Sequence, residues 1–497
     1  MPNIALLGSG GGERAMLGLL GSLVQLKKCD LLDCMLYLSG ISGSTWCMAS
    51  LYRESEWSAK LDTVQDAIVK RLNGPEVTWT DSWIKLKKYH KRDNFSLTDF
   101  WAVMFVSSIV KEIDEDGVTH QRDYHTKDPY PVYAVIDDQC KRESLDSDAW
   151  FEITPHEAGY SLTGAFVDSA YLGSQFKNGT SVKKQPEIDM LYLQGFCGSA
   201  LADETEIKKW LWEEMKKIIS CGEESSQACQ VLLTLAELNL CVLKDEDPTS
   251  LITTMTELLK GKLDKHGRAM FISAQELLHE RKSAILEQFT LTICENFGDW
   301  FKVQDTAGWI AIDIVKLITR WIWGTTYDFL YDMEVEDVHP SVLTEKERYY
   351  EDAGLLINSP YFPMLREERD IDLIISLDFS AGDPMETVVK TSQMCKELKI
   401  PFPGVKLPDN ITEPDDFYVF KGCDKTPTVI HIPLFNKVNC DGHIQDWASK
   451  YSTFQQAYSP DLISDLIKKA GENVINTKEK ILKEIAKIVE QKQSKVH

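Results

Sequence analysis

The first fifty residues narrow the choice of fold more than anything else in the chain. Ile4 to Leu7 is a short apolar run that reads as a buried strand. It ends in Gly8-Ser9-Gly10-Gly11-Gly12, and a helical pattern follows from Arg14 to about Lys27. A second apolar run, Cys34 to Leu38, leads into Ser39-Gly40-Ile41-Ser42-Gly43-Ser44, and another helix-like stretch starts near Thr45. Strand, glycine turn, helix, strand, small-residue turn, helix is a βαβα opening. It predicts an α/β fold, with a mostly parallel central sheet flanked by helices.

Later segments fit that expectation. Tyr130 to Ile136, Trp150 to Thr154, Met190 to Leu193, Leu373 to Leu377 and Val429 to Ile432 read as further strands. The stretch from about 205 to 317 is rich in Leu, Glu, Lys and Met at helical spacing, and is expected to be a helical insertion or cap over the core. A closing helix is expected from about Ile475 to Gln491, with Ile481, Ile485, Ile488 and Val489 on one side. Docking of that side on the core is the plainer reading, and lying in a membrane interface the sharper one. With 43% hydrophobic residues in 497, the chain can build a large core, and 1–497 is read as one enlarged catalytic domain.

Charge excludes some partners. A net charge of -23 repels polyanions, so nucleic acid is not expected to bind. The same charge gives no general attraction to anionic membranes, so membrane contact must come from a local patch. Lys85 to Arg92 is one candidate, although a solvated helix face is the favoured account of it. The twelve cysteines show no CxxC pair and no zinc spacing, and read as reduced thiols of a cytoplasmic protein. No metal and no cofactor is expected. No apolar run reaches the length of about 18 residues that suggests a spanning helix.

Three turns carry candidate chemistry. Gly40-Ile41-Ser42-Gly43-Ser44 lies between a strand and a helix, where a sharp turn would lift a serine hydroxyl clear of its neighbours. The following helix would direct its positive end at the site. Ser42 is therefore the candidate nucleophile, with simple N-capping as the alternative. Ser39 and Ser44 lack a glycine two residues before them. The loop Gly8 to Gly12 could present backbone N–H groups to an oxyanion, hold a pyrophosphate, or serve only as a turn. Glu13 stands where the dinucleotide fingerprint needs a glycine, which counts against the second use. Arg14 opposes the dipole of the helix it opens, so it suits an anion site better than a purely stabilising role. Asp378 follows the apolar run Leu373 to Leu377 and would stand, like Ser42, beyond the carboxyl end of a strand. Of the ten histidines, His431 and His156 are the best placed for a triad, and both read more simply as structural.

Together the motifs resemble a known family. Gly-Ser-Gly-Gly-Gly-x-Arg-Ala, Ser-Gly-x-Ser-Gly-Ser-Thr-Trp and Leu-Asp-Phe-Ser-Ala are similar, in order, to the three signatures of the cytosolic phospholipase A2 catalytic module. The resemblance extends to the gamma type through segments 96–102, 154–167, 323–331, 377–387 and 401–405. It implies a patatin-like core with a Ser-Asp dyad and no catalytic histidine. Ser42 would attack the acyl carbonyl and Asp378 would take its proton. Gly11 and Gly12 would form the oxyanion hole, and Arg14 would hold the substrate phosphate. The implied activity is release of the sn-2 fatty acid from membrane phospholipids, and action on lysophospholipids as well. No C2 module precedes the motifs, so calcium-independent action is expected, with peripheral membrane association. The rival from another class is a catalytically silent lipid-binding homologue. The sequence leaves protein partners unassigned.

Overall fold

The computed structural model describes residues 2–122, 127–199, 204–220, 226–262, 282–301, 306–336, 338–407, 411, 413–423, 425–455 and 457–496. The chain forms two compact units. One comprises 1–78, 101–201 and 324–497, and the other 79–100 and 202–323.

The strands of the first unit are β1 (Ile4–Gly8), β2 (Tyr37–Gly40), β3 (Tyr130–Asp137), β4 (Trp150–Ile153), β5 (Glu157–Tyr160), β6 (Ala165–Asp168), β7 (Gln175–Lys177), β8 (Thr180–Lys183), β9 (Thr325–Tyr327), β10 (Glu347–Asp352), β11 (Leu373–Asp378), β12 (Tyr418–Phe420) and β13 (Thr428–Pro433). All but the β7–β8 hairpin belong to one mixed sheet, whose main path is β12-β13-β11-β1-β2-β3-β4-β5-β6. The centre, β13-β11-β1-β2-β3, is parallel as expected. The flanks were not foreseen: β12 on one side and β4 to β6 on the other are antiparallel. Every residue of β1 and β11 is buried, as the continuous apolar runs require of strands covered on both faces.

Helix α1 (Glu13–Lys28) packs against the C-terminal helix Pro460–Val496. The approach is close at Gly21, where a Cβ would lie 2.3 Å from the Ile467 carbonyl oxygen. Helix α2 (Gly43–Tyr52) is buried along its whole length.

Three local expectations need correction. Met190 to Leu193 opens a helix, Met190–Cys197, instead of a strand, because Asp189 caps it by accepting the Tyr192 N–H at 2.9 Å. Strand β2 begins at Tyr37, since Leu32–Cys34 forms a 3-10 turn. The C-terminal helix starts at Pro460, fifteen residues before Ile475. Proline suits a first helical position, and Gly471 within the helix reads in sequence as a breaker.

The second unit is helical in its described parts: Glu204–Ser220, Gln227–Leu243, Thr249–Leu258, Lys282–Phe301 and Thr306–Arg320. It also takes in α3 (Trp79–Tyr89), which the sequence did not assign to it. The contacts that bind this segment to the unit include two hydrogen-bond-range polar contacts. His90 Nε2 lies 3.0 Å from Asp313 Oδ2, and the Leu97 N–H donates to the Ile322 carbonyl at 3.0 Å. No helix among the described residues is long and apolar enough to cross a membrane.

Candidate active site

At the carboxyl end of the parallel strands, Gly8 of β1 pairs with Gly40 of β2 on one side and Leu377 of β11 on the other. Neighbouring strands are about 4.8 Å apart. The turns leaving β2 and β11 can therefore meet over the end of β1 only if the loop between them is thin. That loop is Ser9-Gly10-Gly11-Gly12.

Ser42 occupies the β2–α2 turn with φ 49° and ψ -133°. For a residue with a side chain, such a backbone costs about 1–3 kcal/mol and persists only where its surroundings impose it. Here the Ser42 N–H donates to the Cys197 carbonyl at 3.0 Å, and the Ser42 carbonyl accepts from both the N–H and the hydroxyl of Thr45. The glycine loop makes room: a Cβ on Gly10 would lie 2.9 Å from Ser42 Cβ, and a Cβ on Gly43 would lie 1.8 Å from the Gly12 carbonyl oxygen. The two rival serines are occupied elsewhere. Ser39 Oγ donates to the Val132 carbonyl at 3.1 Å, and Ser44 Oγ to the Ser9 carbonyl at 2.6 Å.

Gly12 precedes α1 with φ 59° and ψ -140°, a conformation that favours glycine. The first N–H groups of a helix lack intrahelical acceptors. Among the described residues, none accepts from the Gly11 or Gly12 N–H. Both are thus unpaired donors at a positive helix end, beside Ser42.

Asp378 ends β11 and is 2% exposed. Its Oδ1 accepts from the Ser380 N–H at 2.8 Å and its Oδ2 from the Thr387 hydroxyl at 2.7 Å. No hydrogen bond joins it to Ser42 Oγ among the described contacts. A carboxylate has about four acceptor positions, so the two bonds leave capacity for another. The acid loop is bound to the glycine loop through Ser9. Its N–H donates to the Leu377 carbonyl at 3.1 Å, and its Oγ accepts the Phe379 N–H at 2.6 Å.

His431 is buried on β13 beside the acid, with Nε2 3.8 Å from Asp378 Oδ2. That nitrogen also lies 2.6 Å from the Pro384 carbonyl, to which it donates. His431 Nδ1 has no hydrogen-bond partner among the described residues, so no hydrogen bond joins His431 to Ser42. His156 instead stacks on Tyr130, with Nδ1 3.0 Å from the tyrosine oxygen.

Arg14 is 1% exposed. Nε donates to the Phe379 carbonyl at 2.7 Å and Nη1 to the Tyr451 carbonyl at 2.5 Å. Nη2 lies 2.8 Å from where a Cβ on Gly11 would stand. Burial lowers the guanidinium pKa, while Tyr458 and the Asp378 charge oppose that shift. Glu13 is buried beside it. Its Oε2 accepts the Tyr458 N–H at 2.8 Å, and its Oε1 is unpartnered. Burial outweighs that hydrogen bond and the charge of Lys111, and pushes the carboxyl up to about 8. Among the described residues, no group of three or more His, Cys, Asp or Glu side chains could hold a metal ion.

Sequence reasoning missed two members of this region. Asn358 Nδ2 donates to the Gly10 carbonyl at 3.2 Å and to Ser380 Oγ at 2.8 Å, joining glycine loop and acid loop. Thr387 holds Asp378. In sequence, Asn358-Ser359-Pro360 signals only a turn, and Thr387 sits in an ordinary helical pattern.

A strained serine turn, a glycine loop and a buried aspartate at one end of a parallel sheet are the equipment of a lipid acyl hydrolase with a patatin-like core. Residues 4–205 match the family described as Lysophospholipase catalytic domain. The chain is 34% identical to cytosolic phospholipase A2 gamma of Mus musculus, covering 98% of this chain and 86% of that protein. It is 33% identical to the Homo sapiens gamma protein, covering 98% and 90%. The solved structure of human GIVD cytosolic phospholipase A2 superposes with a TM-score of 0.68 at 21% identity, over 98% of this chain. The chain spans 60% of that solved chain, and the likeness shows the fold. The chain belongs to the cytosolic phospholipase A2 family and is a lipid-hydrolysing enzyme.

Proposed function

We propose that the protein is a calcium-independent phospholipase A2 that cleaves the sn-2 ester of membrane glycerophospholipids through a Ser42–Asp378 dyad, and that it also deacylates lysophospholipids. The observation that carries this reading is the enforced positive φ of Ser42 beside the unpaired N–H groups of Gly11 and Gly12. An N-cap serine needs no such strain. A nucleophile does, because the turn presents its Oγ to an incoming carbonyl.

The steps follow from the groups present. Ser42 Oγ attacks the acyl carbonyl as its proton passes to Asp378. Hydrogen bonding between the two is often loose in an unliganded enzyme and tightens with substrate. The Gly11 and Gly12 N–H groups receive the negative oxygen of the tetrahedral intermediate, with the positive end of α1 behind them. Collapse expels the lysophospholipid alkoxide, which takes the proton back from Asp378. Water then attacks the acyl-serine as Asp378 takes one of its protons, and collapse frees the fatty acid while Asp378 returns that proton to Ser42 Oγ. Arg14 would offer Nη2 to the substrate phosphate, with its other two nitrogens fixed by the Phe379 and Tyr451 carbonyls. Each of these steps is written with protein groups and water. Such an enzyme meets its substrate at a bilayer surface, and we assign it a cytoplasmic, peripherally membrane-associated location.

The test is fatty-acid release from mixed phospholipid vesicles with a calcium chelator present. Release by the wild type and none by Ser42→Ala is expected. Equal release by both would overturn the nucleophile, and release only without chelator would overturn calcium independence. No release by the wild type would return the silent lipid-binding homologue.

A further inference from the structure

Helix α3 buries Ser82, Lys85, Leu86 and Tyr89, the i, i+3, i+4, i+7 stripe of a docked helix. Its other side is unusual. Trp79 is 41% exposed and Ile84 58% exposed. Trp79 stacks on Trp83 with ring centroids 6.4 Å apart and planes 8° from parallel. Further along the same side, Lys87 lies over the Trp83 ring at 5.4 Å, and Lys88 and Lys91 are exposed. The cations on this side are Lys87, Lys88 and Lys91, whereas Lys85 is buried and Arg92 lies 3.7 Å from Asp99, in a chain whose net charge is -23.

A solvated helix face accounts for the lysines but not for an outward Trp and Ile. A protein-docking face accounts for the apolar pair but gives no role to a basic cluster in so acidic a chain. Tryptophan beside lysine is the composition of a helix lying at a lipid–water boundary. There the indole occupies the headgroup level, the aliphatic side chain enters the acyl region, and the cations meet acidic headgroups. Charges beyond a Debye length of about 8 Å are screened, so the local cluster acts despite the overall negative charge.

We infer that the outer face of α3, built from Trp79, Trp83, Ile84, Lys87 and Lys88, together with Lys91 in the turn that follows, is a docking surface for bilayers containing acidic phospholipids. The inference rests on the reading of this enzyme as one that works at a phospholipid surface, and adds where it touches that surface and which headgroup charge it selects.

The experiment is vesicle co-sedimentation of the full chain carrying Ser42→Ala, so that lipid is not consumed. Phosphatidylcholine vesicles are compared with vesicles doped with phosphatidylserine. Each lysine near an acidic surface contributes about fivefold in affinity (about 1 kcal/mol). Lys87→Gln with Lys91→Gln should therefore weaken binding to the acidic vesicles about 25-fold. The difference should shrink in high salt. Trp79→Ser with Ile84→Ser should weaken binding that persists in high salt. Equal binding of the parent to both vesicle types would overturn the proposal. So would undiminished binding by both double variants. Binding to neither vesicle would overturn it too. Hydrolysis of a soluble, monomeric ester, run in parallel, should be unchanged by the lysine pair and abolished by Ser42→Ala. Failure of the catalytic reading would appear there and failure of the docking surface only on vesicles.

Discussion

Gly43 rests on Gly12 so closely that a Cβ at 43 would sit 1.8 Å from the Gly12 carbonyl oxygen. The first residue of α2 and the last of the glycine loop therefore share one small space, and the nucleophile turn cannot shift without the proposed oxyanion donors. Alanine at 43 forces them apart. Overpacking of this kind costs about 1–3 kcal/mol or more. Gly43→Ala should lower the melting temperature and suppress labelling of Ser42 by a fluorophosphonate. Gly404 has open space where a Cβ would go, so Gly404→Ala should change neither. Normal labelling of Gly43→Ala would show that the turns are not coupled.

Asn358 is expected to act by positioning. It holds Gly10 through its side chain and its own carbonyl, and holds the acid loop through Ser380. Each hydrogen bond contributes about 1 kcal/mol to stability, a modest loss. Displacing a reacting group by about 1 Å can cost about 100-fold in rate. Asn358→Ala should thus lower kcat by about 10- to 100-fold while leaving KM near the wild-type value. Steady-state kinetics on a soluble ester would check the split. A fall in stability with kcat unchanged would make Asn358 structural only.

The parallel centre of the sheet was legible because β1 and β11 are continuous apolar runs that end in turns of small or polar residues, and the apolar runs at 34–38 and 429–432 overlap β2 and β13. The positions of the three site turns were legible for the same reason. The misread segments share a cause, which is that the deciding contact lies outside the local pattern. Met190 to Leu193 is as apolar as a strand, and only the Asp189 cap makes it helical. The C-terminal helix continues through Gly471, packed on α1, where sequence suggests a break. Helix α3 looks local, yet it is bound to the second unit by residues more than two hundred positions away. Asn358 has no chemical signature of its own, because its role is to bridge two loops distant in sequence.

Glu13 should make stability depend on pH. In the unfolded chain its carboxyl titrates near 4.5, and in the fold at about 8. Between those values the folded state holds a proton that the unfolded state has lost, so stability falls as pH rises. The slope from this one group is about 1.4 kcal/mol per pH unit across that window, and it levels off above the folded value. Glu13→Gln cannot ionise and keeps an acceptor for the Tyr458 N–H. Its urea-unfolding stability should gain on the wild type by about 1–3 kcal/mol between pH 5.5 and 7.5. A constant difference across that range would show that Glu13 is ionised in the fold.

Arg14 poses the sharpest question about substrate recognition, since two of its three nitrogens already bond to carbonyls. If those bonds were its whole purpose, its replacement would weaken every reaction alike. If Nη2 holds the substrate phosphate, the loss must depend on whether the substrate carries one. Lysine keeps the charge but has one nitrogen on a flexible stem, and cannot reach the Phe379 carbonyl, the Tyr451 carbonyl and an anion together. A hydrogen bond to a charged group contributes about 1.5–3 kcal/mol, which corresponds to about 10- to 100-fold. Arg14→Lys should therefore reduce kcat/KM for a phospholipid by that factor beyond its effect on a phosphate-free ester cleaved at the same serine. Equal losses on both substrates would leave Arg14 as a strut between α1, the acid loop and the Tyr451 segment, and the phosphate would need another partner.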